Sequence, residues 1–143
     1  MTINDFTAEL KNWRLTKYKS INFAIGITAL LTYEYIGRPI YRTYIYTNEI
    51  NDFHVADTLG NTFGTLATLF ILIALLSNGT IKGNYLIKVG TFSVCVFELI
   101  SPLLGKPIDV WDILATILAG LVSYVMYNVI FNGSWNERKT SNR

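Results

Sequence analysis

The sequence predicts an all-α protein, a four-helix transmembrane bundle preceded by an N-terminal interfacial segment. Three observations lead there. The chain is 51% hydrophobic and 15% charged, with a mean hydropathy of +0.34, whereas soluble domains carry roughly 25% charged residues. Four windows approach the roughly 20 apolar residues that a bilayer-crossing helix needs: 20–37, 57–77, 85–104 and 109–132. The segments between them carry turn chemistry. Gly37 and Pro39 follow the first window, "SNGTIKGN" (77–84) is a Gly/Asn turn, and "SPLLGKP" (101–107) sets Pro and Gly around the third connection. With 143 residues, one domain is expected.

Residues 1–19 form the interfacial segment, with Phe6, Leu10 and Trp13 at helical spacing among basic residues. The first window then reads as an uncleaved signal-anchor, because its apolar run begins late, near Ile21, and no A-x-A-like site follows "ALLTYEYIGRP". Residues 38–56 make a longer, Tyr-rich link, expected in part at the interface with Trp111 and Tyr33, Tyr35, Tyr41, Tyr44 and Tyr46 as an aromatic belt. The other connections are short enough for antiparallel neighbours. Residues 133–143 form a basic tail.

Charge orients the bundle. With both termini in the cytoplasm, Lys11, Arg14, Lys17, Lys19, Lys82, Lys88, Arg138, Lys139 and Arg143 lie inside, and only Arg38, Arg42 and Lys106 lie outside. The same arrangement gathers Glu34, Glu49, Asp52, Asp57, Glu98, Asp109 and Asp112 at the outer end. Net charge is +2 with basic residues at the chain ends, so nucleic acid is not an expected partner. The single Cys95 has neither a disulfide partner nor metal-ligand spacing.

Positions three or four apart share a helix face. On the second span Asp57, Asn61, Gly64 or Thr65, and Thr68 make a polar stripe; on the fourth, Asp109, Asp112, Thr116, Gly120, Ser123 and Tyr127; on the third, Thr91, Cys95, Glu98 and Pro102. Facing stripes predict a polar pocket of Asp57, Asn61, Glu98, Asp109, Asp112 and Thr116. Small residues offer a reason for the faces to meet: Gly60 and Gly64, and Ala115, Ala119 and Gly120. Asp109 has two readings, pocket residue or N-cap, with Asp112 then favouring the helix dipole. Asp57 is likewise a candidate cap, and Asn51 or Asp52 suits the turn before it. Glu98 sits near the C-terminal end of its span, where a carboxylate cannot cap, and an acid at that depth is a functional candidate by default. His54, with Asp52 and Asp57 nearby, is a poor metal signature and is expected to cap or lie at the interface. Arg38 and Arg42 are expected to pair with the outer carboxylates.

The run from Glu98 through "PIDVWDILATILAG" resembles the VanZ-like family of small bacterial membrane proteins. In that family a Glu near the end of one span is followed by Asp-x-x-Asp-x-x-x-Asn-x-x-x-Gly opening the next. The matching positions are Glu98, Asp109, Asp112, Thr116 and Gly120, and "NDFHVADTLGNTFGT" is similar to the polar opening of the preceding span. The resemblance covers residues 50 to 125 and departs at Ser101 and Thr116, where the family has Gln and Asn. It implies a bacterial cell-envelope location and an association with low-level resistance to glycopeptide antibiotics such as teicoplanin.

Three functions compete at this point. The first is binding, or modification, of an envelope molecule such as a lipid-linked or cell-wall precursor, with Glu98 as the acid or base if there is chemistry. With no nucleophile–base pair, Walker loop or HExxH pattern, catalysis would rest on carboxylates alone, so recognition is preferred. No cofactor or metal is expected. The others are a homo-oligomeric or partner-docking subunit, and a proton or cation path.

Overall fold

The computed structural model describes residues 16–77, 80–105 and 108–140, and these are helical nearly throughout. The expected amphipathic segment (Phe6, Leu10, Trp13) and the Lys106–Pro107 turn lie outside the described residues. The first helix, α1, runs Lys17–Thr32. Thr16 caps it, in extended conformation, by accepting the Lys19 N–H at 3.3 Å.

The expected break at Gly37–Pro39 does not occur. The chain continues from α1 as a π-helix, Tyr33–Arg42, and then a last α-helical turn, Thr43–Thr47. In an α-helix the Pro39 ring would collide with the carbonyl four residues back. The wider π turn changes that register, so the proline is accommodated without ending the helix. Arg38 pairs across one turn with Glu34 at 3.6 Å. Both side chains are exposed, so the pair contributes little.

The irregular link is therefore shorter than the 38–56 expected, and tightly shaped. Glu49, Phe53 and His54 all adopt left-handed backbone, with φ of 52°, 56° and 65°, a region that non-glycine residues seldom enter. Local bonds support it. Asn51 Oδ1 accepts the Phe53 N–H at 3.1 Å, an Asx turn, and Asp52 Oδ2 accepts the Ala56 N–H at 2.7 Å. Asp52, expected to serve the turn, thus caps the second span in place of Asp57.

The second helix, α2, spans Val55–Leu76, the third, α3, Thr80–Ile100, and the fourth, α4, Val110–Thr140. A short 3-10 turn, Ser101–Leu104, closes α3 and ends at Gly105 with φ of 78°, where a side chain would be strained. Ile108 and Asp109 lead into α4, which extends beyond the window read for the last span.

The central element is α2, packed against α1, the π segment, α3 and α4, while α3 also packs on α4. The core lies towards one end and joins Leu69, Phe70 and Ile73 of α2 to Leu86 and Ile87 of α3 and to Tyr127 and Phe131 of α4. Large apolar side chains face outward in number, among them Phe92, Leu118, Leu121 and Val129. An apolar surface that extensive suits a lipid solvent. Among the described residues three segments, Val55–Leu76, Lys82–Leu103 and Val110–Phe131, are long and apolar enough to cross a membrane. In α1 only 16 residues are α-helical before the π segment, and it is not among the three.

Glycines set the close approaches, with partners the sequence does not announce. A Cβ on Gly26 of α1 would lie 2.7 Å from Ile71 Cγ1 and 3.0 Å from the Ala67 carbonyl oxygen, so α1 meets α2 backbone to backbone. The expected pair Gly60 and Gly64 does not bring α2 to α4. Gly60 faces the Tyr33 hydroxyl, and a Cβ on Gly64 would meet nothing within 4 Å. Gly120 receives Thr91 of α3. Gly26→Leu is accordingly expected to cost about 1–3 kcal/mol through overpacking. Gly64→Ala is expected to be neutral or to stabilise by up to about 1 kcal/mol from helix propensity. Thermal unfolding of the purified protein in detergent measures both.

Candidate functional site

At the acidic end Glu98 occupies the last turn of α3, followed by the 3-10 turn. Asn61, on α2, donates from Nδ2 to Glu98 Oε1 at 3.5 Å. Both side chains are half-buried. Asp112, in the first turn of α4, is half-buried too and lies within electrostatic reach of Asp109, Glu98 and Asp57. Three helices thus bring polar side chains to one place.

Beneath them the stripes continue as hydroxyls. Thr116, one turn after Asp112, is 0% exposed, and Thr65, one turn after Asn61, is 3% exposed. Neither Oγ1 has a hydrogen-bond partner among the described residues. Buried hydroxyls are nearly always satisfied, and leaving one unpaired costs about 1–3 kcal/mol. Ser101, where the VanZ-like pattern has Gln, is buried and donates back to the Phe97 carbonyl at 3.2 Å.

Asp57 and Asp109 stand at the rim with work of their own. Asp109 Oδ1 accepts the Trp111 N–H at 2.8 Å, so this residue caps α4. Asp57 accepts the Tyr46 hydroxyl on one oxygen and faces His54 Nδ1 at 3.3 Å on the other. Arg42 Nε in turn donates to Tyr46 Oη at 3.1 Å, with its guanidinium 5.2 Å from the ring centre. The bond to the Asp57 carboxylate pushes the Tyr46 phenol above its usual range and keeps it protonated, a donor. The rim closes with His54, which stacks on Trp111 at 5.1 Å and 19°, and with Tyr41, which donates to Asp52 at 3.2 Å.

The six expected pocket residues therefore divide. Asn61, Glu98, Asp112 and Thr116 form an inner group, joined by Thr65; Asp57 and Asp109 are spent on the rim. Thr68, expected on the α2 stripe, is exposed. Arg42 is hydrogen-bonded to Asp57 through Tyr46, a residue expected in the aromatic belt. No cluster of three metal-ligating side chains occurs among the described residues.

A second polar centre, which sequence reasoning missed, lies at the other end. The Tyr18 hydroxyl bonds to Tyr127 and lies 3.1 Å from Ser77 Oγ. Asn84 and Asn128 exchange amide bonds at 3.0 and 3.1 Å between α3 and α4. Asn22, fully buried, donates to the Tyr18 carbonyl at 2.8 Å. Long-range tyrosine and amide pairs of this kind have no local periodicity to betray them.

Fold and site together define a helical protein in which, among the described residues, three helices suit lipid contact and a polar cluster lies where they converge. Compared with protein-family models, curated proteins and solved structures, the chain finds no match.

Proposed function

We propose that this chain is a multi-pass protein of the bacterial inner membrane, VanZ-like in kind, that binds a cell-envelope molecule in an outward-facing acidic pocket. In this reading α1 and its π-helical continuation supply the fourth span and both termini are cytoplasmic. The observation that carries the reading is the bond from Asn61 to Glu98 across two helices, with the unpartnered Thr65 and Thr116 hydroxyls one turn below. Two carboxylates, an amide and two free hydroxyls suit a ligand rich in hydroxyl and amide donors, such as the sugar-peptide part of a lipid-linked cell-wall precursor. Recognition is favoured over chemistry, since the site supplies acids and hydrogen bonds without a nucleophile.

A proton path is less well supported. Lower on the stripes, Ser123 donates to the Ala119 carbonyl at 2.7 Å and Thr91 to the Ile87 carbonyl at 2.8 Å. Hydroxyl protons committed to their own helices make a poor relay. The test of the binding reading is native mass spectrometry of the purified protein with a lipid-linked cell-wall precursor, repeated with Glu98→Gln. Retention by the parent protein and loss in the variant supports it; equal retention by both removes Glu98 from the site.

A further inference from the structure

Between α3 and α4 runs a groove of about 570 Å³, from Lys88 at one end to Cys95, one turn before Glu98, at the other. Phe92, Cys95, Leu121 and Tyr124 line it, with Thr91 packed where Gly120 has no side chain. The Thr91 hydroxyl is committed to the Ile87 carbonyl at 2.8 Å, and the lining carries one charged residue. Lys88 stands in it, exposed, with its ammonium 5.8 Å from the centre of the Tyr124 ring. Among the described residues Lys88 makes no ion pair.

The position of that cation is informative. Lys88 lies six residues after Lys82, where the apolar segment Lys82–Leu103 begins, which is about 9 Å along a helix. A lysine at that depth stretches its apolar stem along the protein and carries its charge to the level of the lipid headgroups. An ammonium there, faced by an aromatic ring and no carboxylate, is complementary to a phosphate. The groove beyond it, from Lys88 towards Cys95, has the shape and the apolar lining that a hydrocarbon chain fits.

We propose that the α3–α4 groove is a binding site for an anionic phospholipid of the leaflet at the Lys82 end, with its phosphate on Lys88 and one acyl chain lying along Phe92, Cys95 and Leu121. A second groove, of about 500 Å³, lies among Ile21, Ile25, Phe63 and Met126 and has no charged residue in its lining. It serves as an internal comparison, in contact with lipid but without headgroup preference.

The full chain, reconstituted in nanodiscs of equal phosphatidylglycerol and phosphatidylcholine, is photolabelled with one or the other lipid carrying a diazirine in its acyl chain. Labelled peptides are then mapped by mass spectrometry. At Phe92, Cys95 and Leu121 the anionic lipid is expected to label about fivefold more than the zwitterionic one, the worth of one lysine near anionic lipid. Lys88→Gln is expected to bring the ratio to about one and Lys88→Arg to keep it. The Phe63 groove is expected to give a ratio of about one throughout. Equal labelling by both lipids in the parent protein, or a preference that survives Lys88→Gln, overturns the proposal. Exclusion of both lipids together with α3 cross-linked to another copy of the chain also overturns it, and assigns the groove to an oligomer contact.

Discussion

Tyr127→Ala will be the most destabilising single change in the bundle, costing about 3–5 kcal/mol, the range for deleting a large buried aromatic side chain. Tyr127 is fully buried in the core with Leu69, Phe70 and Phe131. Its ring lies 5.0 Å from that of Phe131 and meets Tyr18 edge-on at 6.3 Å. The hydroxyl lies where Gly83 has no side chain, in the space a Cβ would take. Removing the ring therefore opens a cavity among α1, α2, α3 and α4 at once. Tyr127→Phe keeps the ring and loses the hydroxyl, while Tyr18 retains Ser77. Its expected cost is about 1 kcal/mol, a typical net hydrogen bond. Denaturant unfolding of the purified protein gives both values. A Phe variant as damaged as the Ala variant would shift the weight from packing to the hydroxyl network.

The second large effect falls on binding and leaves the fold intact. Glu98→Gln and Asp112→Asn keep size and shape and remove charge. On the proposed function, each is expected to weaken retention of the envelope ligand about ten- to hundredfold, the worth of a hydrogen bond to a charged group. The unfolding midpoint is expected to stay within the error of the parent protein or to rise, since half-buried carboxylates crowded together repel. Asp109→Asn is the informative contrast. Asparagine caps as well as aspartate, and Asp109 caps α4, so this variant is expected to bind and fold as the parent does. Loss of binding in Asp109→Asn equal to that in Asp112→Asn would return Asp109 to the pocket.

The stripe on α4 was legible because helical periodicity is a local property. Thr116, Gly120, Ser123 and Tyr127 repeat every three or four residues and all are buried. The helices α2 and α4 were legible for the same reason, as long apolar runs bounded by polar caps. Pro39 is misleading because proline ordinarily ends a helix, whereas here the chain widens into a π-helix around it. The role of Asp57 was hidden by its partner. Tyr46 comes from a link whose left-handed residues Glu49, Phe53 and His54 set its path, and none of them is a glycine to signal the turn. Gly60 and Gly64 looked like a helix-packing pair, yet the close approach is made at Gly26, because which glycine meets a neighbour depends on how the helices cross. The tyrosine and asparagine network at the far end joins residues up to 109 positions apart, Tyr18 and Tyr127, beyond the reach of any spacing argument.

On the proposed function, Asn61, Glu98 and Asp112 open to water on the outer side of the membrane while α3 faces lipid nearby. With a single cysteine in the chain, a Cys95→Ser background makes the test direct. Asn61→Cys, Asp112→Cys and, on the exposed apolar face of α3, Phe92→Cys are each expressed in a bacterial membrane and treated in intact cells with a membrane-impermeant thiol reagent. Labelling is expected at positions 61 and 112 and none at 92. Protection of 61 and 112 in intact cells, or labelling there only in inverted membrane vesicles, would contradict the proposed function.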